Sequence, residues 1–161
     1  MLAVIRIGPL LAALIFSASA CGATTEQLLA QLNSARSLWA QRGPVSYSFV
    51  ISDGCFCLSP AYNGPLLVTV RPGRPIRLVY IGRSTRKYAK GDRVTIETHL
   101  RTDIPQLFDW IEKAIRASPA AFFTLEYDSV DGHPVKVELD DPTWEDEQTI
   151  IAIESFRRHD G

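Results

Sequence analysis

Two thiols separated by one residue, Cys55-Phe56-Cys57, are the feature of this 161-residue sequence whose spacing comes nearest to chemistry. A disulfide between them meets an unfavourable geometry. Same-face Cα atoms two apart in a strand lie about 6.5–7 Å from each other, beyond the usual disulfide distance of about 5.5–6 Å. The chain must therefore kink, and Gly54 beside the pair eases that. So small a ring removes little chain entropy, and its stabilisation falls well below the usual 2–4 kcal/mol or so. Strain also makes such a bond easier to reduce. Two thiolates can instead hold a soft ion such as Cu(I) or Zn(II). That requires further ligands, and the histidines, His99, His133 and His159, stand at no ligand spacing to the pair. A redox-active pair is more often Cys-x-x-Cys. The leading reading is a local clip at a strand end, with metal binding and redox chemistry as alternatives.

The other polar clusters are weaker. Asp140, Asp141, Glu145, Asp146 and Glu147 form an acidic loop without the Asp-x-Asp-x-Asp-Gly pattern of a calcium loop. His133, in Asp131-Gly-His-Pro134, has no nucleophile near it in sequence and reads as a turn residue, while Asp128 is placed to accept backbone hydrogen bonds across that turn. With no nucleophile–base pair in view, no catalytic residue, metal ligand or cofactor is assigned. A concave pocket lined by Tyr47, Tyr80 and Tyr127 would mark a small-ligand site. Charge is segregated. Residues 71–101 hold nine basic and two acidic side chains, and residues 126–147 hold nine acidic and one basic. The plain reading is complementary charge on facing strands. The sharper one is that loop 83–93 touches anionic lipid or an acidic partner.

The elements that must position these residues follow from periodicity. Leu28, Leu32, Ala35 and Trp39 recur at helical spacing over about 25–41, with Thr24 or Thr25 as cap and Gly43-Pro44 as stop. From Val45 the period is two (Val45, Tyr47, Phe49, Ile51), a strand that runs into a predicted turn at Ser52-Asp53-Gly54. Leu66, Val68 and Val70, then Ile76, Leu78 and Tyr80, make a hairpin about Arg71–Pro75. A short strand near 94–98 is an open element. Ile104, Leu107, Phe108, Ile111 and Ile115 form the clearest helical stripe, over about 103–117, capped by Thr102 or Asp103 with Pro105 in the first turn. Strands at Phe123–Tyr127, Val135–Leu139 and Thr149–Ile153 close the chain, the first two about the Asp131-Gly132 turn. The fold class is α+β, two amphipathic helices packed on an antiparallel sheet of about six strands, in the order αβββαβββ. The order also admits a loose αβββ duplication, although the halves share little sequence.

The amino terminus sets the compartment. Arg6 precedes an apolar run, Leu10 to Phe16, and small residues lead to Ala18-Ser19-Ala20-Cys21. The run is far short of the roughly 20 residues that span a bilayer and reads as a secretory signal. Its end resembles the bacterial lipoprotein signal, with Ala18 where Leu is usual. The resemblance implies cleavage before Cys21 and diacylglycerol on its sulfur. Residues 1–20 are then leader, 21–24 a lipidated tether and 25–158 one domain. Loss of Arg6 takes the formal charge from −1 to −2, which gives no argument for nucleic acid. Export implies an oxidising compartment in which Cys55 and Cys57 can pair. Gly22, in place of the Asp of inner-membrane lipoproteins, implies the periplasmic face of the outer membrane if the source is Gram-negative.

Short pieces in order carry a second resemblance: Tyr47-Ser-Phe49, Cys55-Phe-Cys57, Val68-Thr-Val70 with Arg71-Pro-Gly73, Ile104-Pro-Gln-Leu-Phe-Asp109, Tyr127-Asp-x-x-x-Gly-x-Pro134, and a closing strand to Phe156. Together they resemble a bacterial lipoprotein domain, domain-of-unknown-function family 6174. The resemblance implies location and fold type but no activity. The expected protein is a lipid-anchored cell-envelope domain, non-catalytic, that binds an envelope protein or a small ligand. The alternative is a metal or redox protein using Cys55 and Cys57.

Overall fold

The structure, a computed structural model, describes residues 23–54, 65–86, 88–96, 101–140 and 148–159. Cys21, Cys55, Cys57 and most of the acidic loop lie outside them.

Thr24, rather than Thr25, caps α1 (Thr25–Arg42). Its hydroxyl accepts the Gln27 N–H while the Gln27 side chain accepts the Thr24 N–H, satisfying two end donors reciprocally. Leu28, Leu32 and Ala35 are the buried face. The second helix, α2 (Ile104–Ala117), is capped by Asp103, whose carboxylate accepts the Gln106 N–H at 2.8 Å. Burial pushes that carboxyl above the usual range, against the pull of the Gln106 N–H. The five apolar residues of the predicted stripe are its buried residues. Arg36 of α1 clamps the helices together, reaching Glu112 at 2.8 Å and Asp109 at 3.2 Å.

Six strands follow the predicted order: β1 (Tyr47–Gly54), β2 (Leu66–Val70), β3 (Pro75–Tyr80), β4 (Phe123–Tyr127), β5 (Pro134–Leu139) and β6 (Thr149–Arg158). A single 3-10 turn, Ala120–Phe122, leads into β4. All pairings are antiparallel, and the sheet order is β3-β2-β1-β6-β5-β4. Tyr47, Phe49 and Ile51 on β1, Val68 and Val70 on β2, Val137 on β5 and Ile151 on β6 share one buried cluster with the helix stripes. Both helices therefore cover the same sheet face.

Two expectations need correction, and the open element near 94–98 is described only as far as Ile96. Val45 is 65% exposed rather than part of the alternating strand. Its carbonyl accepts the Gly73 N–H and closes the β2–β3 turn instead. Ser52-Asp53-Gly54 is strand, not turn, because β1 has a partner on each side. Where its ladder to β2 ends at Ile51↔Leu66, pairing with β6 continues through Gly54↔Ile150. Near 94–98 the described residues make a single bridge, Val79↔Arg93, with Val94 N–H donating to Leu78. The order also disposes of a symmetric duplication. A twofold relating two αβββ halves would exchange β1 with β4, whereas the central pair is β1–β6 and β4 is an edge.

Candidate functional site

The most heavily constructed polar site joins the β4–β5 turn, the end of α1 and the end of β6. Asp128 organises the turn: its Oδ1 accepts the N–H groups of Val130 (2.8 Å) and Asp131 (3.0 Å). Burial raises its carboxyl, but those two donors and neighbouring His133 outweigh that and hold it below the usual range. Gly132 sits at φ 81°, in left-handed space, tight against α1, where a Cβ would collide with the Ala35 carbonyl. Next to it Asp131 and His133 are both buried. The Asp131 Oδ1 accepts the His133 backbone N–H at 3.2 Å and lies 2.6 Å from Nδ1.

A bulge in β6 supplies the rest. Ser48 pairs with Arg157 and Val50 with Glu154, so Ser155 and Phe156 together oppose Phe49, and Ser155 takes φ 53°. The extra residue shifts the alternation by one. Ile151 and Ile153 face the core before the bulge, and Phe156 and Arg158 face this site after it. Phe156 stacks on His133 (4.2 Å between centroids) and on Tyr47 (5.5 Å), with Trp39 edge-on to both Tyr47 and Phe156. The Arg158 guanidinium donates to the Arg42 carbonyl at 2.7 Å and stands 3.6 Å from Asp131 Oδ2. The Tyr47 hydroxyl accepts the Ile104 N–H, and burial drives its phenol upward. One cluster thus ties together both helices, the turn and the central strands.

Its chemistry is limited. Carboxylate and imidazole donors of Asp128, Asp131 and His133 lie within 4.8 Å of one another, close enough to surround a cation. Most of the donor atoms between the three are already engaged, however. Asp128 Oδ1 holds two N–H groups, Asp131 Oδ1 holds the histidine, and Asp131 Oδ2 faces a guanidinium that would repel an ion. The group fits a turn clasp, not a metal centre. A second arrangement was not anticipated from sequence: Ser48 Oγ lies 2.9 Å from His159 Nε2, at nucleophile–base distance. Ser48 stands in the middle strand pair, laddered to Thr69 on one side and Arg157 on the other. The adjacent backbone N–H groups that would form an oxyanion hole are therefore committed to the sheet.

The three tyrosines do not share a pocket. Tyr47 is on central β1, Tyr80 on edge strand β3 stacked on Tyr88, and Tyr127 on the opposite edge strand, stacked on Phe108. Tyr127 instead borders an open depression of about 460 Å³ between α1 and the β4–β5 turn, with Ser34, Leu38 and Gly132. Its hydroxyl is buried without a hydrogen-bond partner, and burial raises its phenol. Of the sequence-selected residues, Asp128 and His133 come together as described, Asp140 is an exposed strand end, and Cys21, Cys55 and Cys57 lie outside the described residues. The Trp39–Phe156–Arg158 side of the cluster was missed. The sequence offered only the Asp131-Gly-His-Pro134 turn, whose composition is that of an ordinary hairpin tip.

A family model described as a family of unknown function (DUF6174) matches residues 31–158. The chain belongs to that family. The match takes in every strand, α2 and all but the first turns of α1, so the clasp is wholly inside the family domain. No curated protein and no solved structure matches.

Proposed function

We propose that this protein is a lipid-anchored cell-envelope protein whose family domain is a non-catalytic binding module. The observation that carries the reading is the run from Leu10 to Cys21, a short apolar segment ending in small residues and a cysteine. A diacylglyceryl thioether supplies two acyl chains, enough for stable anchoring where one is marginal. Among the described residues the buried cluster begins at Leu28, with Ala23 packed against it, so the family domain has its own core after Cys21. Among the described residues no helix is long and apolar enough to cross a membrane. The binding role is supported by the chemistry of the polar groups, which are spent on holding turns and strands. With Gly22 after the cysteine, the anchor faces the periplasm from the outer membrane in a Gram-negative cell.

The test is membrane fractionation with intact-mass measurement of wild type and Cys21→Ala. Wild type is expected in the membrane with a diacylglyceryl mass increment on a chain beginning at Cys21. Retention of Cys21→Ala in the membrane fraction would sink the reading. The Cys55-Phe56-Cys57 pair carries the alternative reading, metal or redox chemistry, beside the structural clip. Alkylation of both thiols without prior reduction, or a metal ion in native mass spectra, would put them at the centre of the function. Alkylation only after reduction supports the clip.

A further inference from the structure

The first edge of the sheet carries six exposed cations: Arg74 in the turn before β3, Arg77 on β3, Arg83, Arg86 and Lys90 on the following loop, and Arg93 where the chain returns to bridge Val79. Among the described residues none of the six joins a salt bridge, whereas Arg36, Arg116 and Lys136 elsewhere all do. The only carboxylate between Arg74 and Arg93 is Asp92, which accepts the Ala89 N–H within the loop. Between β3 and the returning segment runs a groove of about 330 Å³, bordered by Arg77 and Arg93 with Ile76, Val94 and Thr95. Ile76 is 49% exposed there, one of the few large apolar side chains so exposed.

We propose that this edge docks on anionic phospholipid, with a headgroup phosphate in the groove between Arg77 and Arg93 and Ile76 against the acyl boundary. Unpaired cations beside an exposed aliphatic side chain match a surface that is anionic outside and apolar beneath. Charge elsewhere supports one orientation. The far edge bears exposed Glu126 on β4, five strand spacings or about 24 Å away, with exposed Asp140 after β5 beside it. That is about three Debye lengths at physiological salt, so the acidic edge does not cancel the attraction and is held away from the bilayer. The choice of a membrane over an acidic protein rests on the anchoring reading. Cys21 stands three residues before the helix cap at Thr24, about 11 Å of extended chain. So short a tether keeps the edge at roughly millimolar effective concentration against the bilayer, where weak headgroup contacts are populated.

The experiment uses the chain from residue 21 with Cys21→Ser, which retains every described residue of the core and carries no lipid. Binding is measured to vesicles of phosphatidylglycerol mixed with phosphatidylcholine and to phosphatidylcholine alone, at low and high salt. Binding is expected to the anionic vesicles alone and to be lost at high salt. Arg77→Gln with Arg93→Gln is expected to weaken it roughly 25-fold, about fivefold for each cation. Lys113→Gln, which removes one exposed charge from α2, is expected to change it little, and circular dichroism verifies folding of each variant. Equal binding to both vesicles, no binding at low salt, or an equal loss from Lys113→Gln would overturn the proposal. Displacement by millimolar inorganic phosphate would also overturn it, assigning the groove to a free anion. Failure of anchoring is read separately, from the Cys21→Ala fractionation, and leaves this measurement unaffected.

Discussion

At the level of single residues, the β4–β5 turn is held by groups with no alternative. Gly132 is required twice over, by its positive φ and by the nearness of the Ala35 carbonyl, while Gly73 shares the positive φ with nothing within 4 Å of a Cβ. Gly73→Ala therefore bears backbone strain alone, about 1–2 kcal/mol. Gly132→Ala must also push α1 off the turn, and is expected to cost at least about 2 kcal/mol more, read from urea unfolding midpoints. Asp128 gives the turn a pH dependence. Its carboxyl is lower in the folded chain than in the unfolded one, so its stabilisation is complete above the usual carboxylate range and is lost as pH falls through the folded value. Asp128→Ala is expected to cost about 1–2 kcal/mol at neutral pH through two lost hydrogen bonds. Asp128→Asn keeps an acceptor and should cost less. Its deficit against wild type should close as pH drops below about 4 in acid titrations followed by circular dichroism. A deficit that persists at low pH would assign the effect to shape rather than charge.

Among the elements, the β6 bulge decides what the site contains. Ser155 holds left-handed backbone at a cost glycine would not have, about 1–2 kcal/mol, against about 0.5–1 kcal/mol of extra chain entropy for glycine. Ser155→Gly is accordingly expected to stabilise by up to about 1 kcal/mol, whereas Phe156→Ala should cost about 3–5 kcal/mol by emptying the stack on Tyr47 and His133. Both are measured by thermal melts. The bulge also explains what the sequence could and could not disclose. Helix stripes and strand alternation depend on residues close in the chain, so α1, α2 and the four strands β2 to β5 were legible almost to the residue. The alternation itself stops at Ile153 because Glu154 and Ser155 are both polar; the family resemblance carried the strand to Phe156, and it runs to Arg158. The phase change hid Phe156 and Arg158 from the core pattern and hid the Asp131–His133–Arg158 cluster with them. Likewise Ser52-Asp53-Gly54 has turn composition, and only its pairing with a strand about 100 residues later makes it strand.

For the molecule as a whole, the consequential fact is that the first and last strands are neighbours at the centre of the sheet. Each half is a three-stranded meander readable from local signals, and the β1–β6 ladder that fuses them connects Tyr47 to Arg158 across nearly the whole domain. A long-range central pairing must overcome loop closure before it stabilises anything, which favours slow, cooperative folding. The two ends of the chain are then unequal. Removing residues 1–20 leaves the whole core of the described residues, which begins at Leu28, in place and is expected to leave the melting temperature unchanged. Removing residues 156–161 takes Phe156 and Arg158, ends the ladder at the bulge and uncovers Tyr47, Trp39 and His133. The loss is several kcal/mol, set against a typical domain stability of about 5–15 kcal/mol. The expected result is a chain that melts without a cooperative transition, or with a midpoint lowered by more than about 15 °C. A cooperative melt near the wild-type midpoint would mean that the two meanders are joined mainly through the helices, and that the cluster at the end of β6 is there for something other than stability.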